Sequence, residues 1–310
     1  MGPRAVILGI PQPIGTNRWK DDLAEDASSL GWDVTHIPAR GAPVADVVGL
    51  CRGADLLIWA RTHQHDPAGD AEVMLRRVED AGCATVGLHM DLYWGIPRRE
   101  SRIGVHPFWS CQGVFTADGG REGDFADRWV NHHWCPPALG SQLVGVGVRN
   151  KRRFPGDVVF VGSVVSDIHG QHRSQLIEWA RRTFPRFQHY GARRGSRQVW
   201  DKALASLYAT STVVIGDSAE APWYWSDRVP STCGRGGLLA HPRTTGLAEQ
   251  GFTDEHMILY DRFDFDGLGE AIKSLTVKRR TDMVRAAVEL VRSRHLWTHR
   301  LREIERIMLG

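Results

Sequence analysis

Proton transfer is the chemistry most legible in the first half of the sequence, where the stretch G-L-H-M-D-L-Y-W-G at 87 to 95 follows an apolar run. Asp91 stands where α/β proteins put reacting groups, just beyond the end of an apolar strand. Its carboxylate can take the proton of an attacking hydroxyl as a general base. Its other reading is a cap for the turn that follows. His89 is a second base candidate, set against an imidazole satisfied in the core. A parallel stretch, A-R-T-H-Q-H-D-P at 60 to 67, adds His63, His65 and Asp66 at the end of another apolar run. Tyr93 and Trp94 supply flat faces for an acceptor.

The second half carries groups suited to holding an anion. The run D-V-V-F-V ends in Gly162 and Ser163, a small residue and a hydroxyl where backbone can approach a phosphate, and Arg173 follows in the next helical stretch. Further on, Y-W-S-D-R-V-P-S-T-C-G-R-G-G-L-L-A-H-P-R-T-T-G spans 224 to 246. Ser226 and Asp227 are good N-caps for a short helix, Arg228 adds a fixed charge, and Gly236 and Gly237 close the helix before an apolar strand. Thr244, Thr245 and Gly246 form the next turn, where a second helix can start, and Tyr224 and Trp225 can wall the site. Each also has a plain reading: Gly162 as a tight turn, Arg173 on a solvated face, the aromatics as core.

Metal chemistry is disfavoured. H-Q-H at 63 to 65, H-H at 132 and 133 and H-x-x-H at 169 to 172 each lack a complete ligand set. Asp264 and Asp266 read as the N-cap and first-turn acid of a late helix. The turn G-I-P-Q-P-I-G at 9 to 15 lacks the G-x-G-x-x-G spacing of a dinucleotide site, which argues against a nicotinamide or flavin cofactor.

The elements that must position these residues alternate. Strands are predicted at 4–10, 33–37, 55–60, 84–89 and 112–116, with helical stretches from Trp19 toward Gly31 and at 44–52 and 70–81. A shift in composition, P-P-A-L-G-S-Q-L-V-G-V-G-V-R-N-K-R-R-F-P-G-D at 136 to 157, reads as a linker. The rhythm then restarts, with strands near 157–162, 186–190, 212–216, 236–240 and 257–260, and ends in helix from Lys278. The expectation is an α/β protein of two Rossmann-like, doubly wound domains, 1–150 and 151–310. With 42% hydrophobic residues in a chain of 310, two cores are within reach. A formal charge of +3 is too mild to demand nucleic acid. No run approaches the ~18 apolar residues of a membrane span, the start leads into a strand rather than a signal peptide, and the five cysteines are scattered without C-x-x-C. A cytoplasmic chain without membrane contact is expected.

The order R-V-x-x-x-x-x-x-G-G-L-L-A, then G-L-A-E-Q-G-F and M-I-L-Y-D, resembles the nucleotide-sugar half of group 1 glycosyltransferases, in particular the spore-maturation-protein-like branch. D-V-V-F-V-G-S, Arg173, S-T-V-V-I-G and H-L-W-T-H-R-L agree, so the resemblance covers about 155 to 305. It implies the GT-B architecture, two Rossmann-like domains facing a cleft, with the last helix often crossing back to the first domain. It also implies a metal-independent enzyme with no resident cofactor and a nucleoside diphosphate sugar, a UDP-sugar first, as co-substrate. Where the branch reads R-V-F-E-A, with the Glu on the donor ribose, this chain has Arg228, Val229, Pro230, Ser231 and Thr232. The implied donor residues are Gly162, Ser163, Arg173, Tyr224, Ser226, Arg228, Ser231, Thr244, Thr245 and Gly246. Asp91, His89 and His63 are then the base candidates of an inverting transfer; a retaining transfer, in which the leaving phosphate takes the proton, is equally open. Alternatives are a sugar-nucleotide epimerase and a binding protein without activity.

The leading acceptor expectation is a hydroxymethylated base, such as 5-hydroxymethylcytosine, in duplex DNA. Arg149, Lys151, Arg152 and Arg153 cluster at the linker, and Arg181, Arg182, Arg186, Arg193, Arg194 and Arg197 follow. Such side chains can grip phosphates, with Arg152 and Arg153 foremost, while Tyr93, Trp94 and Trp109 can hold a flipped base. Small phage DNA-modifying glycosyltransferases resemble this chain in size, and a bacteriophage protein would work in the host cytoplasm. Glycans, proteins and small molecules are the other acceptors.

Overall fold

A computed structural model describes residues 2–9, 19–61, 66–164, 166–191 and 198–310. The chain divides into two units, Met1–Pro136 with Trp297–Gly310, and Pro137–Leu296.

The first unit holds six parallel strands: β1 (Arg4–Leu8), β2 (Asp33–Ile37), β3 (Leu56–Ala60), β4 (Ala84–His89), β5 (Gly113–Thr116) and β6 (His132–Trp134), in the order β2-β1-β3-β4-β5-β6. The central strands are covered on both faces, which is why L-L-I-W-A reads as a continuous apolar run and not as an alternation. Trp59, Phe108, Trp109 and Phe125 fill one side of this core. The helix Trp297–Leu309 belongs to this unit. Trp297 stacks on Trp19 at 5.7 Å, and Arg300 Nε donates to the carbonyl of Pro136 at 2.8 Å.

The second unit holds five parallel strands: β7 (Val158–Val161), β8 (Gln188–Tyr190), β9 (Val213–Ile215), β10 (Leu239–Pro242) and β11 (Ile258–Tyr260), in the order β11-β10-β9-β7-β8. Its core gathers Phe160, Leu176, Ile215, Leu238 and Leu268. The unit begins at Pro137 and not near 150 because the segment between is hydrogen-bonded into it. The amide of Gly145 donates to the carbonyl of Gly234 (2.8 Å), that of Asn150 to Thr210 Oγ1 (2.8 Å), and Ser206 Oγ to the carbonyl of Val148 (2.5 Å). In both sheets the chain reverses its strand order around the first strand, which leaves a crevice at the carboxyl ends, the place where α/β sheets take ligands. Among the described residues no helix is long and apolar enough to cross a membrane.

Candidate functional site

In the second unit, the carboxyl ends of β7 and β9 bring together two arginines and one acid. Arg228 opens the short helix Arg228–Gly234. Its side chain runs back between two glycines: a Cβ on Gly216 would come within 2.7 Å of Arg228 Cδ, and one on Gly162 within 2.4 Å of Nη2. Gly162 also has φ +143°, and a Cβ on Gly191 would meet its carbonyl oxygen at 2.3 Å. Small residues are therefore required here by a guanidinium and by backbone approach. Arg228 Nε donates to the carbonyl of Val161 at 3.1 Å and Nη1 to that of Asp217 at 2.7 Å. Nη2 has no partner among the described residues.

Arg173 is 3% exposed and donates from Nε to Asp217 Oδ1 (2.7 Å), from Nη1 to the carbonyl of Ser163 (3.0 Å) and from Nη2 to that of Asp217 (3.5 Å). Both guanidiniums lie over the ring of Phe160, at 5.6 and 5.1 Å. Asp217 is wholly buried, and His172 Nδ1 stands 3.5 Å from its Oδ2. Burial opposes ionisation of Asp217, yet the bond from His172 and the two guanidiniums hold its carboxyl well below the usual range. Burial, and then the charge of Arg228, push Arg173 down to about 10. Two formal positive charges thus share one carboxylate. No second acid reaches either guanidinium among the described residues.

The remaining donor candidates separate. The amide of Gly162 is taken by the carbonyl of Tyr190 (2.8 Å) and its carbonyl by His189 Nε2 (2.8 Å), so its contribution is space and not a hydrogen bond. The amide of Ser226 donates to Ser218 Oγ at 2.9 Å, and Ser226 Oγ is buried with no partner among the described residues. Asp227 takes the N-cap position without a capping side-chain bond. Ser231 is partly exposed on the helix. Tyr224 and Trp225 are buried, at 5% and 1% exposure, and pack as core, whereas Trp223 lies against Gly246 (φ +94°) and donates its amide to the carbonyl of Thr245 at 3.0 Å. Residues 245 to 251 form turns, not the expected helix, and Thr244 Oγ1 donates to the carbonyl of Pro242 at 3.2 Å.

In the first unit, Asp91 follows β4 with its side chain 45% exposed, 3.7 Å from Arg99 Nη2. His89 is wholly buried, accepts the amide of Asp91 at Nδ1 (3.0 Å) and packs edge-on against Tyr93 (4.7 Å). Its place is in the core. Tyr93 is 3% exposed and its hydroxyl is pushed up to about 12 by burial, so its ring is also core. Trp94 is partly exposed beneath the guanidinium of Arg128 at 4.5 Å. The turn is pinned by Asp118, which accepts the amides of Tyr93 and Trp94, each at 2.9 Å. Burial raises its carboxyl to about 6 against those amides. At the end of β3, Arg61 grips Asp66 from Nε (2.7 Å) and Nη2 (3.2 Å), and His106 Nε2 stands 3.2 Å from Asp66 Oδ2. Burial opposes the charge on Asp66, but His106 and Arg61 hold it well below its ordinary value. His63 and His65 lie outside the described residues.

Of the basic residues, Lys151 and Arg186 both pair with Asp157, and Arg182 with Glu178. Arg152 and Arg153 line an open cleft of about 450 Å³ along β8, with Pro155, Gln188, His189 and Tyr190. Arg193, Arg194 and Arg197 lie outside the described residues. His132 and His133 do not converge: His132 stacks on Phe125 at 3.8 Å and His133 on Phe115 at 4.8 Å. Asp264 caps its helix, accepting the amide of Gly267 at 2.9 Å. No cluster of three or more His, Cys, Asp or Glu side chains suited to a metal ion occurs among the described residues.

Asp217, Arg61, His106 and Asp118 join these arrangements without being among the residues expected from the sequence. For two of them a signal existed: Asp217 follows V-V-I-G and Asp118 follows V-F-T-A, each an acid just beyond a strand.

Residues 165–306 match a family model described as Glycosyl transferase-like. No curated protein matches the sequence. Among solved structures, HepE from Anabaena in complex with UDP and glucose is similar over 100% of both chains, with a TM-score of 0.68 at 12% identity. A glycosyltransferase from Rickettsia africae covers 99% of this chain and 98% of its own, with a TM-score of 0.63 at 10% identity. An alpha-glucosyltransferase in complex with UDP and a 13-mer DNA containing a HMU base gives a TM-score of 0.70 at 11% identity over 100% of both chains. The fold is that of the GT-B glycosyltransferases, as the sequence led one to expect. The match of 165–306 to the glycosyl transferase-like family model agrees with the expected enzyme class.

Proposed function

We propose that this chain, with its glycosyl transferase-like domain at 165–306, moves a sugar from a nucleoside diphosphate sugar, a UDP-sugar first among them, to an acceptor hydroxyl. One observation carries the donor half: the buried guanidinium of Arg173 and the partly buried one of Arg228 share the single carboxylate of Asp217, and Nη2 of Arg228 has no partner among the described residues. An uncompensated charge in so dry a place calls for an anion, and a diphosphate answers it as ligand and as leaving group, its developing charge stabilised by a donor already in position. Ser226 Oγ is a second open donor. The UDP bound by fold relatives supports the choice of nucleotide. Asp91, partly exposed at the end of β4, is the base in an inverting transfer.

For the acceptor the reading is a hydroxymethylated base in duplex DNA. Arg152 and Arg153 on the open cleft along β8 would take backbone phosphates, and a fold relative was solved with DNA carrying such a base. Glycan or small-molecule acceptors are the competing outcome. The test incubates the protein with UDP-sugars and duplexes carrying 5-hydroxymethylcytosine or 5-hydroxymethyluracil and looks for glycosylated base by mass spectrometry. Duplex binding should weaken steeply with salt, and neutralising Arg152 and Arg153 together should reduce the slope of log K against log salt by about 2. Sugar transfer to a glycan but not to DNA would overturn the acceptor reading alone. Failure of every nucleoside diphosphate to raise the melting temperature, with no turnover of any sugar nucleotide, would overturn the donor reading.

A further inference from the structure

We infer that Asp217 is the positioning residue of the anion site: it aims Arg228 at the ligand, and Arg173 is its brace and not a phosphate ligand. The inference rests on the donor reading above. Asp217 has no exposed surface, so it cannot meet a nucleotide itself. What it touches is both arginines. Its main-chain oxygen accepts Nη1 of Arg228 at 2.7 Å, and its Oδ1 stands 3.8 Å from the same nitrogen while accepting Nε of Arg173 at 2.7 Å.

The two arginines are left in different conditions. All three nitrogens of Arg173 are engaged, on Asp217 and on the carbonyl of Ser163, and the residue is 3% exposed. Its second Nη protons remain, but at 3% exposure it presents almost no surface to a ligand. Arg228 has Nε and Nη1 engaged, so its plane is fixed, and Nη2 projects over Gly162, where no Cβ obstructs it. Both cations share one face of surroundings on Phe160 and would repel each other there without the carboxylate between them. His172 completes the arrangement from behind. It is 2% exposed and held by Tyr260 (6.1 Å), Phe263 (5.1 Å) and Phe265 (5.7 Å), which keeps Nδ1 toward Asp217 Oδ2.

The test separates aiming from mere folding by comparing uridine, UMP and UDP as ligands. In the wild type, UDP should bind more tightly than UMP, and UMP more tightly than uridine. Asp217→Asn keeps the main-chain acceptor of Arg228 but removes the carboxylate charge 3.8 Å from Nη1, so it should leave uridine affinity unchanged and cut UDP affinity by about 10- to 100-fold, the range for losing the charged hydrogen bond from Nη2 to the diphosphate. A purely structural role would weaken all three alike, and that result would overturn the inference. Because Asp217→Asn leaves the buried cation of Arg173 and the partly buried one of Arg228 unbalanced, the double variant Arg173→Met with Asp217→Asn is measured beside it, since removing both partners of a buried pair preserves stability better than removing one. The double variant should regain melting temperature but not the preference for UDP. Full recovery of that preference would mean that Asp217 only neutralises Arg173, and the positioning role would fall. If the wild type shows no preference for UDP, it is the donor reading that fails, whereas a normal preference in Asp217→Asn overturns this inference alone.

Discussion

Gly216→Ala offers a sharp test of the anion site, because the added methyl touches the arginine and leaves the backbone unstrained. Gly216 has no positive φ, and its amide donates to the carbonyl of Ala240 at 2.9 Å, a bond that alanine keeps. The new Cβ would stand 2.7 Å from Arg228 Cδ and 3.1 Å from Leu239 Cδ1. A carbon pair cannot hold at 2.7 Å, so the aliphatic stem of Arg228 must move. It then loses the bonds to the carbonyls of Val161 and Asp217. Hydrogen bonds from charged donors are worth ~1.5–3 kcal/mol each, and partial rehydration recovers some of that, so a net loss of about 2–4 kcal/mol is expected. For a unit of this size such a loss lowers the melting temperature by roughly 5 to 15 °C. UDP affinity, read by calorimetry, should fall about 10- to 100-fold with the displaced Nη2. Adding Arg228→Ala to the same protein removes the side chain that the methyl strikes, so stability should rise again while UDP affinity stays low. This non-additivity is the signature of direct contact. Gly216→Ala binding UDP as tightly as wild type would refute the placement of Arg228 in the donor site.

Asp91→Asn should lower turnover by about 10²- to 10⁴-fold while UDP binds as before, in single-turnover and binding assays; unchanged turnover would remove Asp91 as the base. Stability should also depend on pH through two buried histidines. Burial pushes His241 down to about 4 and His132 to about 3, below the ordinary 6.5, so the unfolded chain binds the extra protons first. Their stabilisation is complete above about pH 6.5 and is lost as pH falls from there toward 4 and then 3, at most about 3 kcal/mol for His241. Thermal melts between pH 7.5 and 4.5 should show the decline, and His241→Gln should flatten part of it; a flat wild-type profile would refute the buried neutral assignment.

The strand calendar of this fold is written in apolar runs. L-L-I-W-A and V-V-F-V, short, apolar and rich in β-branched and aromatic residues, read as buried parallel strands, and the turns after them mark the crevice. β6 escaped notice because H-H-W carries no apolar run; it is an edge strand whose imidazoles stack on Phe125 and Phe115. The division between units escaped for another reason. Composition marks the basic, glycine-rich stretch up to 157 as irregular, but irregular backbone docks as firmly as any strand when its amides find partners such as the carbonyl of Gly234.

At the candidate site, sequence reveals which residues carry charge but not where each charge is balanced, and that difference decides roles. Arg173 and Arg228 look equivalent in a string of letters. In three dimensions every nitrogen of one is engaged and Nη2 of the other is not, and what separates them is Asp217, an acid that periodicity assigns to no face because it lies one residue past the glycine that ends its apolar run. The same holds for the aromatics. Trp223, Tyr224 and Trp225 are consecutive, so composition gives no ground to choose among them; Tyr224 and Trp225 turn inward, and Trp223, at φ +57°, is the one laid against Gly246. A left-handed backbone is costly for a bulky residue such as tryptophan, and its place beside the turn at 244–246 is bought by the bond to Thr245 and by the missing side chain of Gly246. The glycines are thus the most informative letters in the second unit once the structure is known. Gly162, Gly216 and Gly246 each mark a spot where another group needs the room, and two of the three make room for the same arginine.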